Sequence, residues 1–359
     1  MRVFAADIGF GTTDILLYDS SRPLENCPKL VVPSQTQIVA AEIRRATRHG
    51  LGASMDGVTM SGGPCGAALR KHLTQGLLFF ASPAAALTFH DDLEKIASWG
   101  VTIVDDPVVA APTGSVRIQS GDLNLPALER AFTDLGIGFD FDGAAIAVQD
   151  HGFSPSTSNR RHRFDLWREA LDREAHISRL AFPANAIPEP YSRMRAVASL
   201  LHDFDRVVLM DTGPAALLGA TLSGQMNPRD RGQAPLLVAN FGNGHTLAAI
   251  IENGCINGLV EHHTGLLNRE KFESLLARFT AATLSNEEVF DDGGHGCVPP
   301  GHAFQLADLE PVIITGPRRE MARGGELKLE FAAPHGDMML TGCFGLIEAW
   351  KEATSSPGA

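Results

Sequence analysis

Apolar residues along this chain follow two alternating periods. Short runs rich in branched and aromatic side chains recur as RVFAADIG, TDILLYDS, GLLFFAS, VTIVDD, GAAIAVQD and RVVLMD, with GVTMSGG as a shorter buried stretch. These read as strands. Between them TQIVAAEIRRATRHG, GAALRKHLTQG, DLEKIASWG and LPALERAFTDLG carry apolar positions at helical spacing and stop on glycine, as helices do. Strands separated by helices imply βαβ units and a mostly parallel sheet. The first two strands are too close in sequence for a crossover helix, so they are expected to pair antiparallel beside it.

The later part of the chain resembles its beginning. PLLVANFGNGHTLAAIIENGCINGLVEHHTG reads as strand, glycine turn, strand, turn, strand, and leads into the helix LNREKFESLLARF. ADIGFGTTDILLYD and ANFGNGHTLAAIIEN share a strand, a G-x-G turn with threonine, and a second strand. This is one long-range duplication, not a short-period solenoid. Between the copies, QMNPRDRGQAP is polar and bears proline and glycine. The expected division is therefore a first α/β domain over 1–224, a linker over 225–235 and a second domain over 236–359.

Asp7 to Asp19 at the first turn poses the chemical question. Paired glycines at a strand end let the backbone turn tightly and approach a ligand. Thr12 and Thr13 add hydroxyls beside backbone N–H groups, a setting that suits phosphate, and Asp7 at its mouth suits magnesium. A glycine-rich hairpin capped by an aspartate fits the same residues. Two such hairpins, with Gly9 and Gly11 in one and Gly242, Gly244 and Thr246 in the other, would clamp a phosphate chain from both sides.

Composition narrows the class of protein. The 359 residues are 44% apolar and 20% charged, with a formal net charge of −12. A core for two domains is available, and the acidic balance argues against nucleic acid or an anionic membrane as the main partner. The basic run SNRRHRF (Ser158 to Phe164) is a local exception that reads as a solvated surface stretch, with a contact to an anionic substrate or partner as the alternative. No apolar segment reaches eighteen residues, and the N-terminus runs straight into a strand, so a cytoplasmic protein is expected. The five cysteines are scattered and include no CxxC, as expected of reduced thiols.

Taken together, the two turns resemble the phosphate motifs of the actin, heat-shock chaperone ATPase and sugar kinase superfamily. That resemblance implies two ribonuclease-H-like (actin-like ATPase) domains, mixed sheets flanked by helices, and a nucleotide in the interdomain cleft. It implies ATP and magnesium as cofactors, Asp7 on the metal, and Gly9, Gly11, Thr12, Thr13, Gly242, Gly244 and Thr246 around the phosphates. Asn240 stands where the second motif usually has aspartate, and an amide offers magnesium no charge. DTGPAAL resembles the acidic-Pro-x-Ala-Ala turn, with Asp211 as the residue that orients water or a substrate hydroxyl. VIITGPRREMA resembles the turn that receives adenosine, at Thr315 and Gly316, with Pro317 in place of a second glycine. More narrowly, MDTGPAALLGA, ANFGNGHT and VEHHTG resemble a prokaryotic family often labelled as pyruvate formate-lyase activating enzyme-like. The CxxxCxxC motif that a radical-SAM activase needs is not in the sequence.

The histidines open a separate possibility. EHHTG and DDGGHGC place His262, His263 and His295 beside acidic residues and Cys297, and such side chains are metal ligands. Adjacent strand residues point to opposite faces, so one of His262 and His263 at most would ligate. Three functions stay open: a magnesium-dependent ATPase or phosphotransferase, a nucleotide- or ligand-binding regulator without turnover, and a metal-dependent hydrolase built on the histidine loops.

Overall fold

The computed structural model describes residues 1–173, 176–223 and 234–355. Among these residues the strands form three sheets. The chain opens with an antiparallel meander of β1 (Arg2–Ile8), β2 (Thr12–Asp19) and β3 (Lys29–Pro33). It then leaves to build a separate sheet from β4 (Ala53–Gly57), β5 (Phe79–Ala81), β6 (Val101–Ile103) and β7 (Val116–Ser120). That sheet has the order β6-β5-β4-β7 and is parallel throughout. The chain returns as β8 (Gly143–Val148), β9 (Ala181–Pro183) and β10 (Val207–Met210). The first sheet then reads β3-β2-β1-β8-β10-β9, with β8 parallel to both β1 and β10.

The third sheet repeats this plan. Strands β11 (Leu236–Phe241), β12 (His245–Glu252) and β13 (Cys255–His263) form an antiparallel meander. With β14 (Gly296–Val298), β15 (Val312–Thr315) and β16 (Leu329–Phe331) the order becomes β14-β13-β12-β11-β15-β16. In both sheets a three-strand meander is extended by parallel strands beside its first strand, which is the ribonuclease-H-like arrangement built twice.

Two differences from the sequence reading are physical. The strands at GLLFFAS and VTIVDD do not extend the first sheet but join their own, because a three-residue buried strand announces its type and not its partner. The strand expected at GVTMSGG lies earlier, at Ala53–Gly57. It ends at Gly57, where φ is +125° and an added Cβ would stand 2.3 Å from the Ser120 carbonyl oxygen. The linker expected over 225–235 lies outside the described residues except for Ala234 and Pro235. Among the described residues no helix is long and apolar enough to cross a membrane.

Two helices lie between the duplicated sheets. Phe344, Ile347 and Trp350 of the helix Thr341–Ser355 are buried with Val3, Leu16 and Ala145 of the first sheet. Leu217 and Ala220 of the helix Thr212–Ala220 are buried with Val238, Leu247 and Ile313 of the third. The helices touch backbone to backbone. A Cβ at Gly219 would lie 1.8 Å from the Thr341 carbonyl oxygen, and one at Gly345 would lie 2.0 Å from that of Ala215.

This contact yields a prediction of sign. Helix propensity alone would make Gly219→Ala stabilising by about 0.5–1 kcal/mol. The occupied space instead predicts a loss of at least about 1–3 kcal/mol in denaturant unfolding, as overpacking costs. Gly138→Ala, where an added Cβ meets nothing within 4 Å, should stay within about 0.5 kcal/mol of wild type. A stabilised Gly219→Ala would show that the helices can separate freely.

Candidate functional site

The two meanders turn in the same way. The Gly9 N–H donates to the Thr12 carbonyl at 2.9 Å, and the Gly242 N–H donates to the His245 carbonyl at 2.9 Å. Ile8 stands opposite Thr13, and Phe241 opposite Thr246. The registers therefore match Asp7 with Asn240, Thr12 with His245, and Asp14 with Leu247. The turns also meet. A Cβ at Gly11 would stand 2.6 Å from Asn243 Nδ2, and one at Gly244 would stand 3.3 Å from the Phe10 ring. Only glycine permits that approach.

Above the turns lies a cleft of ≈ 640 Å³ lined by Asp7, Gly9, Thr12, Asn240, Gly242, Gly244, Thr315 and Gly316. Gly11 sits behind them at the contact with Asn243. Thr13 and Thr246 are buried in their strands and do not line the cleft. The Thr246 hydroxyl pairs with that of Thr264 at 3.0 Å, and the Thr264 hydroxyl donates to the Gly242 carbonyl at 2.9 Å. These threonines thus shape the second turn from below. Gly316, at φ +96°, is needed because a Cβ there would stand 2.5 Å from Asn240 Oδ1. The glycine-rich loop Met60–Gly63 also lines the cleft, with Gly63 against the Phe10 ring.

Asp7 does not stand alone. Its cross-strand partner in β2 is Asp14, a residue that the sequence reading did not single out although the hairpin register places it there. Both line the cleft and both are nearly buried. Burial pushes Asp7 up to about 7, with the charge of Asp211 adding to the rise and a hydrogen bond from Thr212 opposing it. Burial pushes Asp14 up to about 8, with the charge of Asp7 as the next cause. The Thr212 hydroxyl donates to Asp7 Oδ1 at 2.5 Å, while Asp14 Oδ1 has no partner. Gly342 makes room for this pair, since a Cβ there would stand 1.9 Å from Asp7 Oδ2.

Asp211 is placed differently from its expected role. Its Oδ1 accepts from the Gly213 N–H at 3.0 Å and from Arg163 Nη2 at 3.0 Å. Its Oδ2 accepts from Arg163 Nη1 at 2.7 Å and from the Asp150 N–H at 3.1 Å. Asp211 does not line the main cleft, and with both oxygens engaged it caps the helix Thr212–Ala220 instead of orienting a water. Arg163 itself corrects the reading of SNRRHRF as a solvated run. The run begins the helix Asn159–Asp172, and Arg163 is 2% exposed. Its Nε also donates to Glu261 Oε2 of β13 at 2.7 Å. Arg160 and Arg161 lie 4.1 and 4.0 Å from the centre of the Phe290 ring. One-dimensional charge counting cannot distinguish an exposed arginine from one paired with two distant carboxylates.

The histidines regroup as well. His262 is buried on the far face of β13, with Nε2 3.2 Å from Asp292 Oδ2, so it leaves the expected trio. His263 faces the cleft. His295, in the glycine-bearing stretch DDGGHGC, is 1% exposed and precedes β14. It meets His151, which follows β8, and His245 at the start of β12. These two went unnoticed in the sequence, although strand ends of an open sheet are where ligands gather.

Among curated proteins none matches this chain. Solved structures to which it is similar include an exopolyphosphatase-like protein, at 11% identity and a TM-score of 0.29, covering 88% of this chain and 66% of the other. This chain thus spans a little under two thirds of that protein. Others are the ethanolamine utilization protein EutJ from Carboxydothermus hydrogenoformans (11% identity, TM-score 0.27, 96% and 89% covered) and the PPX-GPPA enzyme of Aquifex aeolicus (10% identity, TM-score 0.21, 88% and 67% covered). The family described as putative pyruvate format-lyase activating enzyme (DUF1786) matches residues 60–321, well over half of the chain, and the protein belongs to that family.

Proposed function

We propose that the cleft binds ATP with magnesium and supports an ATPase or phosphotransferase reaction. The observation that carries this reading is the pair of equivalent glycine turns meeting from two sheets, with two carboxylates on one of them. Bound magnesium nucleotide would supply the transferable phosphoryl group and the cation that neutralises its charge. The chain would supply position. The turns at Gly9–Thr12 and Gly242–His245 offer backbone N–H groups and the Thr12 hydroxyl to phosphate oxygens. The strand end at Thr315 and Gly316, beside Asn240, would form the adenosine side of the wall.

The carboxylates fit a cation. Like charges directly opposite on paired strands repel, and Asp14 keeps an unpartnered buried oxygen. Without a cation the pair holds a proton until pH climbs through about 7 to about 8; with one, both carboxylates can be ionised and satisfied. Asn240 and Leu247 at the matching places in β11 and β12 give the second turn no such pair, which supports a cation on the Asp7 side. Asp211 acts through Thr212, by fixing the turn whose hydroxyl holds Asp7.

Nucleotide binding is tested by thermal shift. Saturating ATP or ADP with magnesium should stabilise the protein, by about 2.7 kcal/mol at a hundred times Kd. Asp7→Asn should raise the stability of the ligand-free protein at pH 8, because it removes one of two facing charges. The same change should weaken magnesium nucleotide at least about tenfold, or about 1.4 kcal/mol. No shift in wild type would remove the nucleotide reading, and an unchanged magnesium dependence in Asp7→Asn would remove its cation site.

A pH dependence follows from the same pair. Both acids are raised from 3.8, to about 7 and about 8, so the folded chain holds protons that the unfolded chain has released. Their contribution is full below the unfolded value and is lost as pH climbs through the folded values. The urea midpoint of ligand-free wild type, measured against that of an Asp7→Asn/Asp14→Asn variant, should therefore fall between about pH 4 and pH 8. Magnesium should restore much of the loss at pH 8. Parallel curves for the two proteins would refute the coupled pair.

A further inference from the structure

Where the two halves of the cleft face each other, imidazoles from both converge. His151 comes from the first sheet, at the end of β8, and His245 and His295 come from the third, at β12 and just before β14. One ring nitrogen of each lies within 4.8 Å of those of the other two. Nε2 of His151 is 3.0 Å from Nε2 of His295, and the ring centres of His245 and His295 are 4.5 Å apart. His151 and His245 open onto the cleft, whereas His295 is 1% exposed.

We propose that His151, His245 and His295 hold one divalent transition-metal ion of the zinc class, with its remaining position open to the cleft. The ligand set of three imidazoles without thiolate matches zinc centres that keep a site for water. At a zinc–nitrogen distance of about 2.0–2.1 Å, tetrahedral ligand nitrogens stand about 3.3 Å apart. The His151–His295 separation is already close to that, and small rotations of the half-exposed His245 ring bring in the third.

Two further observations point the same way. The shared contact between two imidazole nitrogens has room for one proton, and Nδ1 of His295 is buried without a partner. No protein group among those described at Nδ1 fixes the tautomer of this ring, and a metal bond would. Arg163 does not leave the region positive. Its single charge is matched against the carboxylates of Asp211 and Glu261, a net of about −1, which favours a cation nearby.

The open position would take water or an anionic oxygen of a cleft-bound ligand, and a water held there would be acidified toward neutral pH. This site is distinct from the Asp7–Asp14 pair and does not rest on the nucleotide reading.

The test uses the full chain, stripped with a chelator and titrated with cobalt(II) and then zinc(II). One equivalent of cobalt should bind with visible absorption bands that zinc abolishes. His245→Gln and His295→Gln should each weaken binding by more than the roughly 10–100-fold that loss of an outer partner costs. His262→Gln, on the far face of β13, should leave the cobalt bands within about threefold in affinity. If the ligand variants do not fold, X-ray absorption on zinc-loaded wild type decides, with three imidazole nitrogens expected. Substoichiometric uptake, a shell of oxygens or sulfurs, or His295→Gln binding as tightly as wild type would overturn the proposal.

Discussion

The arrangement of the cleft depends on one buried guanidinium. Arg163 joins Asp211 at the end of the first sheet to Glu261 in the third, and its Nη1 also donates to the Asp150 carbonyl at 2.8 Å. Burial, the largest single cause, pushes Glu261 up, but the charge of Arg163, its hydrogen bond and the neighbouring imidazoles together leave the carboxyl below its ordinary range. Such a group is costly to desolvate, and removing one partner of a buried pair costs about 3–5 kcal/mol because the other charge is stranded. Apolar residues would give similar stability at less risk. What they would not give is a fixed distance between the strand ends that carry His151 on one side and His245 and His263 on the other. Gln149 extends the same tie, donating from Nε2 to Glu261 Oε1 at 2.7 Å.

Around that tie the duplicated hairpins have kept geometry and exchanged chemistry. The hydrogen bond that closes each turn is the same, and glycine stands at the same two points of approach. The side chains that the shared register aims at the cleft differ: Asp7, Thr12 and Asp14 on one side, and Asn240, His245 and Leu247 on the other. Carboxyl groups are thereby concentrated on the first turn and an imidazole and an amide on the second. Those donor sets suit different cations, carboxylate oxygen for magnesium and imidazole for zinc. The two ends of the cleft wall thus carry different donor chemistry.

How much of this the sequence made legible depended on how local each feature is. The hairpins were legible because a glycine pair between two apolar runs fixes a turn within a few residues. Their register was legible in principle too, since Asp7 and Asp14 lie symmetrically about that turn. The duplication followed from comparing two local patterns. The partners of the short strands β5 and β6 were not legible, because pairing is decided by packing far along the chain. Arg163 was hidden in a basic run whose other arginines lie over Phe290. His151, His245 and His295 are separated by whole sheets, and only the docking of those sheets makes them neighbours. His262 and His263 show the limit of adjacency: alternation along β13 sends one into the core toward Asp292 and the other into the cleft.

The tie also connects the acidic pair and the histidine cluster electrically. Asp211 is the residue before Thr212, and Thr212 holds Asp7, so the carboxylate that Arg163 neutralises is one turn away from the acidic pair. Asp211 raises Asp7, while Arg163 lowers His151 and, after nearer causes, His245 and His295. Were Arg163 absent, the uncompensated charges of Asp211 and Glu261 would press on both sites. Asp7 would hold its proton more tightly, since the charge of Asp211 already raises it, and the field around the imidazoles would become more negative. The guanidinium therefore sets the protonation of both sites as well as the spacing of the sheets that carry them. A helix with Arg163 at its first buried turn is thus part of the site, and the arginine itself lines the cleft.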